Sequence, residues 1–462
     1  MKKLLKYLSP FAPDQSGVCG VLYELGGIIV ICDAGGCAGN ICGFDEPRWF
    51  TNKSAVFSAG LRDMDAIMGR DDRLIEKLSR AYEQLGARFS ALVATPVPAV
   101  IATDMKALKR MAEKKLGIPC ISVNAIGTRY YDEGEGEAWL QLFETFAVEE
   151  TKKFSEDANE SPEETKKFSE ETKKSSEECT DSRGVKGKIG VIGATPFETG
   201  YSTDKPLKSY LEKCGYNDTV IYTVGTTLED IENASGCERN LVVSTGAIKA
   251  AEYLKEKFGT PYEVAFPFIE DGVLESACDV LKNLTETVSG NDSKAVPKNE
   301  LEDVTKNVPK NGSEDASRNE SEDVTKNVPK NGSEDTPKNE LGNEEKNSVN
   351  VLIVHSQFAA NEMRKKLRRF VKEDSAKDEP KYAFDVATFF TLLPEYTEAT
   401  DTRLNGEDDL WDLAAEGGYD LIIADKDMER LIRAAGYKGE FIDFPHFAVS
   451  GRMNDDSVMF FS

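Results

Sequence analysis

The stretch that decides the fold is an apolar run followed at once by a glycine-rich loop, GIIVICDAGGCAGNICGFDEPRW at residues 27–49. Residues 27–32 have the length and composition of a buried β-strand. The loop carries four glycines within eleven residues, which lets its backbone adopt positive φ and approach a bulky group closely. Its two cysteines, Cys37 and Cys42, are five residues apart. We therefore expect the chemistry of this protein at the end of its first strand.

The residue types in this loop are those that an iron–sulfur cluster needs. Thiolates are soft ligands for such clusters, and a backbone with little side-chain bulk can aim amide N–H groups at the sulfides. A full cluster takes about four thiolates, so two in one loop require a second copy across a dimer interface, or other ligands. The alternative is a glycine-rich turn with two buried free cysteines that act as small hydrophobes. The C-x4-C spacing alone leaves both hypotheses open.

Three segments, 9–14, 17–26 and 37–49, resemble the nitrogenase-like component 1 proteins. That family includes the subunits of the nitrogenase molybdenum-iron protein and of dark-operative protochlorophyllide reductase, and the reductase of coenzyme F430 synthesis. The Gly36-Cys37 pair matches the Gly-Cys that follows the family's first strand, whose thiolate holds an iron–sulfur cluster at the subunit interface. The resemblance continues through the rest of the chain. It implies Cys37 and Cys42 as metal ligands, and Gly36 as part of the cofactor site.

The chain also departs from the nitrogenase pattern. Nitrogenase subunits bring three cysteines each to the interface cluster, but here the first position falls near 11–13 and the third near Thr95-Pro96, and neither holds a cysteine. The resemblance therefore implies a simpler cluster, of the 4Fe-4S type, held by Cys37 and Cys42. Residues 242–246 lack the cysteine that ligates the catalytic metallocluster in cofactor-bearing nitrogenase subunits. We infer that this chain carries no cofactor of that kind.

The resemblance implies an oxidoreductase subunit whose substrate the sequence does not name. It would form a homodimer, or a heterodimer with a second component 1 subunit, and receive electrons from an ATP-dependent iron protein. The electrons would pass through the interface cluster to an unsaturated substrate in a cavity between domains. The alternative is a non-catalytic scaffold or maturation protein that holds a metallocluster or its precursor for transfer. A third hypothesis is a cluster-free binder of small molecules.

Composition and charge limit the partners and the compartment. The formal net charge of −25 opposes binding to nucleic acid, whose phosphates would be repelled. The first residues begin like a secretory signal, but Lys6 interrupts the apolar stretch and Pro10 follows soon after. No apolar run approaches the length of a membrane span. Nine cysteines without the spacing of a small disulfide-linked domain suggest reduced thiols. We expect a cytoplasmic protein without membrane or nucleic-acid partners.

Strand-like and helix-like segments alternate along most of the chain, which predicts three Rossmann-like α/β domains with parallel sheets. Two segments interrupt them: the first repeats ETKKFSE at 150–156 and 164–170, and the second repeats EDVTKNVPKNGSED at 302–315 and 322–335. Their composition cannot bury a core, so we expect disordered inserts. The predicted bounds are domain I with the cluster loop at 1–146, an acidic insert at 147–185, domain II at 186–290, a repeat insert at 291–348 and domain III at 349–462.

Ligand sites in such sheets lie beyond the carboxyl ends of the strands, which suggests pocket residues in the later domains. His446 lies in a segment that resembles the family's closing third-domain segment near the substrate cavity. We predict His446, Thr245 and Arg452 as candidate pocket residues, with His446 as a proton donor or ligand and with simple packing as its alternative. His355, the other of the two histidines, is expected to be a satisfied core residue.

The remaining polar and thiol groups around the loop have simpler expected roles. Cys19 and Cys32 lie in apolar runs and are expected to pack in the core. Asp45, Glu46 and Arg48 are expected to order the loop, and as exposed groups they would form part of the landing surface of the electron donor. Arg48 would also offset cluster charge. Asp33 is a candidate oxygen ligand.

Overall fold

The computed structural model of the chain describes residues 5–52, 54–149, 187–288, 348–374 and 381–451. Strands and helices alternate along these residues, as the sequence predicts. The α-helices are α1 (Asp14–Leu22), α2 (Gly36–Asn40), α3 (Asp63–Met68), α4 (Asp71–Leu85), α5 (Pro96–Val100), α6 (Met105–Leu116), α7 (Tyr131–Phe146), α8 (Pro196–Thr199), α9 (Asp204–Lys213), α10 (Leu228–Glu232), α11 (Ile248–Phe258), α12 (Asp271–Val288), α13 (Gln357–Asp374), α14 (Glu407–Glu416) and α15 (Lys426–Ala434).

The strands form three separate sheets, and every pairing between strands is parallel. Sheet I contains β1 (Ile28–Ile31), β2 (Ala55–Ser58), β3 (Ser90–Val93) and β4 (Cys120–Val123), in the order β2-β1-β3-β4. Sheet II contains β5 (Ile189–Ile192), β6 (Thr219–Ile221), β7 (Arg239–Val242) and β8 (Tyr262–Val264), in the order β6-β5-β7-β8. Sheet III contains β9 (Ser348–Val354), β10 (Lys381–Thr388), β11 (Thr402–Arg403), β12 (Leu421–Ala424) and β13 (Glu440–Asp443), in the order β11-β10-β9-β12-β13. The predicted α/β class with three Rossmann-like parallel sheets is confirmed.

In each sheet the order in which the chain adds strands reverses at one point. The chain leaves β1, β5 and β9 toward one edge, and later returns to their other side as β3, β7 and β12. The connections on either side of such a point diverge, so a crevice forms at the carboxyl ends of the two central strands. Crevices of this kind are where open α/β sheets commonly place their binding groups.

Two glycines let α7 lie in close contact with its neighbours. A Cβ atom at Gly136 would meet the carbonyl oxygen of Gly246 at 2.9 Å, and one at Gly134 would overlap the backbone of Asp14 in α1. Only glycine permits this approach, at some cost to the stability of the helix itself. As a result, the first turn of α7 reaches the junction between the three sheets.

The aromatic side chains of α7 join the first two sheets into one core. Trp139 and Phe143 are fully buried and stacked, and Tyr222 of sheet II meets Phe143 edge to face at 5.3 Å. Helix α12, which the sequence places with domain II, packs against α13 and sheet III. The predicted domain bounds stay a prediction. Nearly all of both predicted inserts lies outside the described residues.

The described helices include none that is both long enough and apolar enough to cross a lipid bilayer.

Candidate functional site

The loop after β1 is a short helix followed by a π-helical turn. Gly35 has φ of +118°, a left-handed conformation that favours glycine, and it precedes α2. The chain then continues into the π-helical turn Ile41–Asp45, a rare geometry that is frequent at functional sites. Cys37 therefore lies in α2, and Cys42 lies in the turn that follows.

Asp33 anchors this loop to the sheet. Its Oδ2 accepts a hydrogen bond from the Ala38 amide at 2.8 Å, and its Oδ1 accepts one from Ser58 Oγ at 2.6 Å. The side chain is fully buried. Because both oxygens are engaged inside the chain, Asp33 is positioned to hold the loop, and the geometry does not favour the predicted role as an oxygen ligand.

The two loop thiols lie in different environments. Cys37 is partly exposed. Cys42 is 9% exposed. Burial, with help from the Asp33 carboxylate, raises the pKa of the Cys37 thiol, while the side chain of Thr95, just beyond the end of β3, favours the thiolate and so lowers this pKa in part. Burial together with Glu46 and Asp33 raises the pKa of Cys42 to about 11. Both are thus thiols at neutral pH in the chain alone, and a bound cation is what would convert them to thiolates.

The surroundings of Cys37 leave room for a bulky group. At Gly35, Gly36, Gly39 and Gly43 an added Cβ atom would meet nothing within 4 Å. Within the described ranges, however, no group of three or more His, Cys, Asp or Glu side chains could hold a metal ion. The loop fits a cluster to which another chain contributes ligands, and does not fit one held wholly by this chain.

Cys19 and Cys32, by contrast, lie in the core. Both are about 1% exposed, and burial raises the pKa of each, to about 12 for Cys32. Their environment is that of inert structural thiols, in agreement with the expected packing role.

Exposed apolar side chains are concentrated on domain I around the same edge of its sheet. Those on the loop, on α3 and on the end of α5 include Phe44, Met64, Ile67, Met68 and Val100, and they are 58% to 84% exposed. Helix α3 follows β2 and α5 follows β3, so both lie on the carboxyl edge with Cys37. An apolar surface of this kind is typical of a face that another protein covers.

Asp45, Glu46 and Arg48 are buried, so the prediction that they form an exposed landing surface is wrong. The Arg48 guanidinium is 0% exposed and donates to both oxygens of Glu46, to the carbonyl of Gly20 and to that of Thr223. Because each charge is satisfied inside the chain, these side chains order the loop and join it to domain II. This agrees with the prediction that the three residues order the loop.

A second cluster of polar groups lies where the three sheets meet. Glu198 in α8 follows β5 and is 2% exposed. Its Oε1 accepts hydrogen bonds from Tyr131 Oη at 2.8 Å and Ser244 Oγ at 3.1 Å, and its Oε2 accepts one from Ser356 Oγ at 3.2 Å. The donors come from α7, from the end of β7 and from the end of β9. One buried carboxyl group thus receives a hydroxyl from each of the three domains.

The structure brings His446 into this cluster. Its ring stacks on Phe390 at 4.5 Å, and its Nδ1 accepts a hydrogen bond from the Ala448 amide at 3.1 Å. Nε2 therefore carries the proton in the neutral ring and faces Tyr131 Oη at 3.5 Å. Both ring nitrogens are engaged by the chain, which favours neutral packing over a ligand role.

The other predicted pocket residues have different outcomes. Thr245 is buried at the start of a short 3-10 turn, directly after Ser244. Arg452 lies outside the described residues. His355, expected in the core, is buried with its ring 4.8 Å from that of His446, and burial lowers its pKa to about 4.

The sequence interpretation missed Glu198, Tyr131 and Glu135. Glu135 is fully buried on α7, with Oε1 bonded to Thr195 and Oε2 without a partner in the described structure. The run YDEGEGE at 131–137 looks like an exposed acidic surface. The signal that finds Glu198 is its position just beyond the carboxyl end of β5, where ligand-binding groups of open sheets lie.

Three parallel-sheet α/β domains, with a two-cysteine glycine loop after the first strand, define an architecture of the nitrogenase component 1 type. The sequence model of the family described as "Nitrogenase component 1 type Oxidoreductase" matches residues 29–300, which is more than half of the chain. This protein therefore belongs to the family of nitrogenase component 1 type oxidoreductases.

Individual relatives are distant. The nitrogenase molybdenum-iron protein alpha chain of Clostridium pasteurianum is 24% identical over 234 residues, which span 49% of this chain and only 37% of that one. Two solved structures, described as nitrogenase Cp1 at pH 6.5 and at pH 5, superpose with TM-scores of 0.55 and 0.52 at 12% and 14% identity. Both superpositions cover 98% of this chain, and they cover 89% and 88% of the others. At these identities the structures establish the shared fold alone.

Proposed function

We propose that this protein is a reductase subunit that holds an iron–sulfur cluster, of the 4Fe-4S type, at the interface of a homodimer or of a heterodimer with a second component 1 subunit. Cys37 and Cys42 would hold the cluster, which would accept electrons from an ATP-dependent iron protein, as expected for this family, for the reduction of an unsaturated substrate. The observation that carries the proposal is the partly exposed thiol of Cys37 in a glycine loop with open space around it.

The dimer follows from the number of ligands. Each chain offers Cys37 and Cys42, and a four-iron cluster takes about four thiolates. A second subunit placed over the same edge supplies the other two, and a symmetric or pseudosymmetric arrangement brings the two loops together. The exposed apolar side chains of α3, α5 and the loop lie on the same edge of sheet I as Cys37, so covering them would stabilise the same interface. Bound in this way, the cluster supplies one-electron transfer.

The protein's own residues position the two thiols. Asp33 holds α2 against sheet I, and Thr95 stands beside Cys37. Arg48, paired with both oxygens of Glu46, fixes the segment that follows the Cys42 turn. Cys42 is buried at 9% exposure, so as a ligand it would be shielded from solvent.

The test is anaerobic reconstitution with iron and sulfide, followed by analysis of both. Cys37→Ala and Cys42→Ala are expected to lose most bound iron, since each removes about half of the ligands that a chain contributes. Cys214→Ala is the matched control for an exposed thiol, and Cys237→Ala for a buried one. Full iron content in both loop variants would refute the site. A cluster that moves to an acceptor protein during turnover would instead favour the scaffold hypothesis.

A further inference from the structure

The carboxyl group of Glu198 stands apart from the other acids of this chain by its surroundings. It lies beyond β5, next to the chain reversal of sheet II, and is enclosed by residues of all three domains. No ion pair reaches it from the described residues. Three hydroxyl donors converge on its two oxygens, as the site geometry above shows. An uncompensated buried carboxyl group is costly, and such groups are concentrated at functional sites.

Burial raises the pKa of Glu198 and of the two acids near it, Asp132 and Glu135. Burial is the main cause that raises the pKa of Glu198, to about 7, with Asp132 adding to it and the hydroxyls of Tyr131, Ser244 and Ser356 opposing it. Burial also raises the pKa of Glu135 well above its ordinary range, and Arg48 lowers it only in part.

Backbone hydrogen bonds orient the two histidines beside the acid. His355 Nδ1 accepts the Ser356 amide at 2.8 Å, and its Nε2 lies 3.0 Å from the carbonyl of Pro445. His446 has the same arrangement, with its Nδ1 occupied by a backbone amide. A ring whose Nδ1 accepts a hydrogen bond cannot take a proton there without breaking it. The histidines therefore orient the network and do not compete with Glu198 for the proton.

We propose that Glu198 is a proton-storing acid of this protein, which gives a proton to the substrate that is reduced at the junction of the three domains. On donation the O–H bond of the Glu198 carboxyl group would break, the proton would pass to a substrate that has gained an electron through the proposed reductase function, and the carboxylate would keep its three hydroxyl donors. Water returns the proton between turnovers. The role as donor rests on the proposed reductase function, whereas the storage of the proton is a property of the chain alone.

The balance between burial and hydroxyl donors is what suits the acid to this task. A proton donor is most effective when its protonated and deprotonated forms are both accessible at the working pH. The three donors stabilise the anion, and the buried setting stabilises the neutral acid. A pocket with either feature alone would hold Glu198 permanently charged or permanently neutral.

The test is infrared spectroscopy of the full chain as a function of pH, without any substrate. The carbonyl stretch of a protonated carboxylic acid is expected to decrease with a midpoint near pH 7, and to shift in heavy water as the proton exchanges. Glu198→Gln should remove the titrating band completely, and Glu429→Gln, an exposed control, should leave it. A band from Glu135 should persist in both variants.

Two milder variants keep the test decisive if Glu198→Gln does not fold. Tyr131→Phe and Ser244→Ala each remove one donor to the anion, so the midpoint should move to higher pH in both. Unchanged midpoints in both, or no band that titrates between about pH 6 and 8, or a band that never exchanges in heavy water, would each overturn the proposal. A titrating band in a protein that binds no iron would instead leave the acid in place and contradict the proposed reductase.

Discussion

The carboxylate of Asp45 accepts a hydrogen bond from Ser450 Oγ at 2.7 Å, and this contact joins the turn that bears Cys42 to the segment that bears His446. Asp45 is buried, and it also accepts hydrogen bonds from Ser16 and Asn40. Burial raises the pKa of Asp45, and the two serine hydroxyls lower it. The loop of domain I and the closing segment of domain III are therefore parts of one hydrogen-bonded unit.

Ser450→Ala should destabilise the protein by about 1–2 kcal/mol, because a buried carboxylate loses one of its donors. The free energy of unfolding, measured by chemical denaturation, checks this. Ser276→Ala is the control, since the Ser276 hydroxyl is exposed and bonds only to its own helix backbone; it should change stability by less than about 0.5 kcal/mol. Equal changes in the free energy of unfolding for the two substitutions would show that the contact with Asp45 does not stabilise the protein.

Arg48→Met should cost about 3–5 kcal/mol, because it leaves the Glu46 carboxylate buried without its cation and removes donors from two carbonyl oxygens. The matched control is Arg433→Met, which breaks an exposed pair with Glu429 and should cost less than about 1 kcal/mol. Thermal or chemical unfolding distinguishes them. A small effect at Arg48 would mean that the loop is not fixed to domain II in the way described.

Gly136→Ala should destabilise the protein by about 1–3 kcal/mol, because the added methyl group forces α7 away from the turn that contains Gly246. Gly272→Ala is the opposite case, since α12 leaves open space at that position and alanine favours the helix. It should be neutral, or stabilising by up to about 1 kcal/mol. If both substitutions stabilise the protein, the close approach between α7 and domain II does not exist.

The order of strands and helices could be predicted because the central strands are continuous apolar runs. Residues 27–32 and 188–192 have the length and composition of buried strands, and β1 and β5 lie there. The edge strand β2 is harder to predict, because Ala55–Ser58 is short and partly exposed, so its pattern resembles a loop. Strand composition thus predicts the central strands of a sheet better than its edge strands.

The site could be predicted only where one segment carries the signal. Cys37 and Cys42 stand together in the sequence, so their shared loop was visible. Glu198 and Tyr131 are far apart along the chain and meet only because α7 crosses between the sheets. The error about Arg48 has the same origin, since its partners Gly20 and Thr223 are remote in sequence. When such remote partners are not known, a charged residue in a loop is predicted to be exposed.

Glu198→Gln should change how stability depends on pH. The pKa of Glu198 is about 7 when folded and near 4.5 when unfolded, so between these values the folded chain holds a proton that the unfolded chain has lost. The free energy of unfolding of the native protein therefore falls as pH rises through this window. The variant has no carboxyl group at this position, so its free energy of unfolding does not fall for this reason. Relative to the native protein, the variant should gain roughly 3 kcal/mol between pH 4.5 and pH 7 or above.

His355 makes the opposite contribution in the same experiment. Its pKa is about 4 when folded and near 6.5 when unfolded, so its contribution to stability is lost as pH falls through that range. With Glu198 replaced, stability should rise visibly from pH 4 to pH 6.5. Urea denaturation at a series of pH values measures both effects, with Glu429→Gln as control. A pH-independent difference between the native protein and Glu198→Gln would contradict the shifted acid.

The most direct measurement of the central claim is sedimentation velocity of the anaerobically reconstituted protein, with iron determined in each sedimenting species. If the cluster is shared between loops, iron should sediment with a dimer, and Cys37→Ala should be both iron-poor and more monomeric. Cys214→Ala should behave like the native protein. A monomer that retains its full complement of iron would contradict the bridged cluster, and with it the proposed path of electrons into this protein.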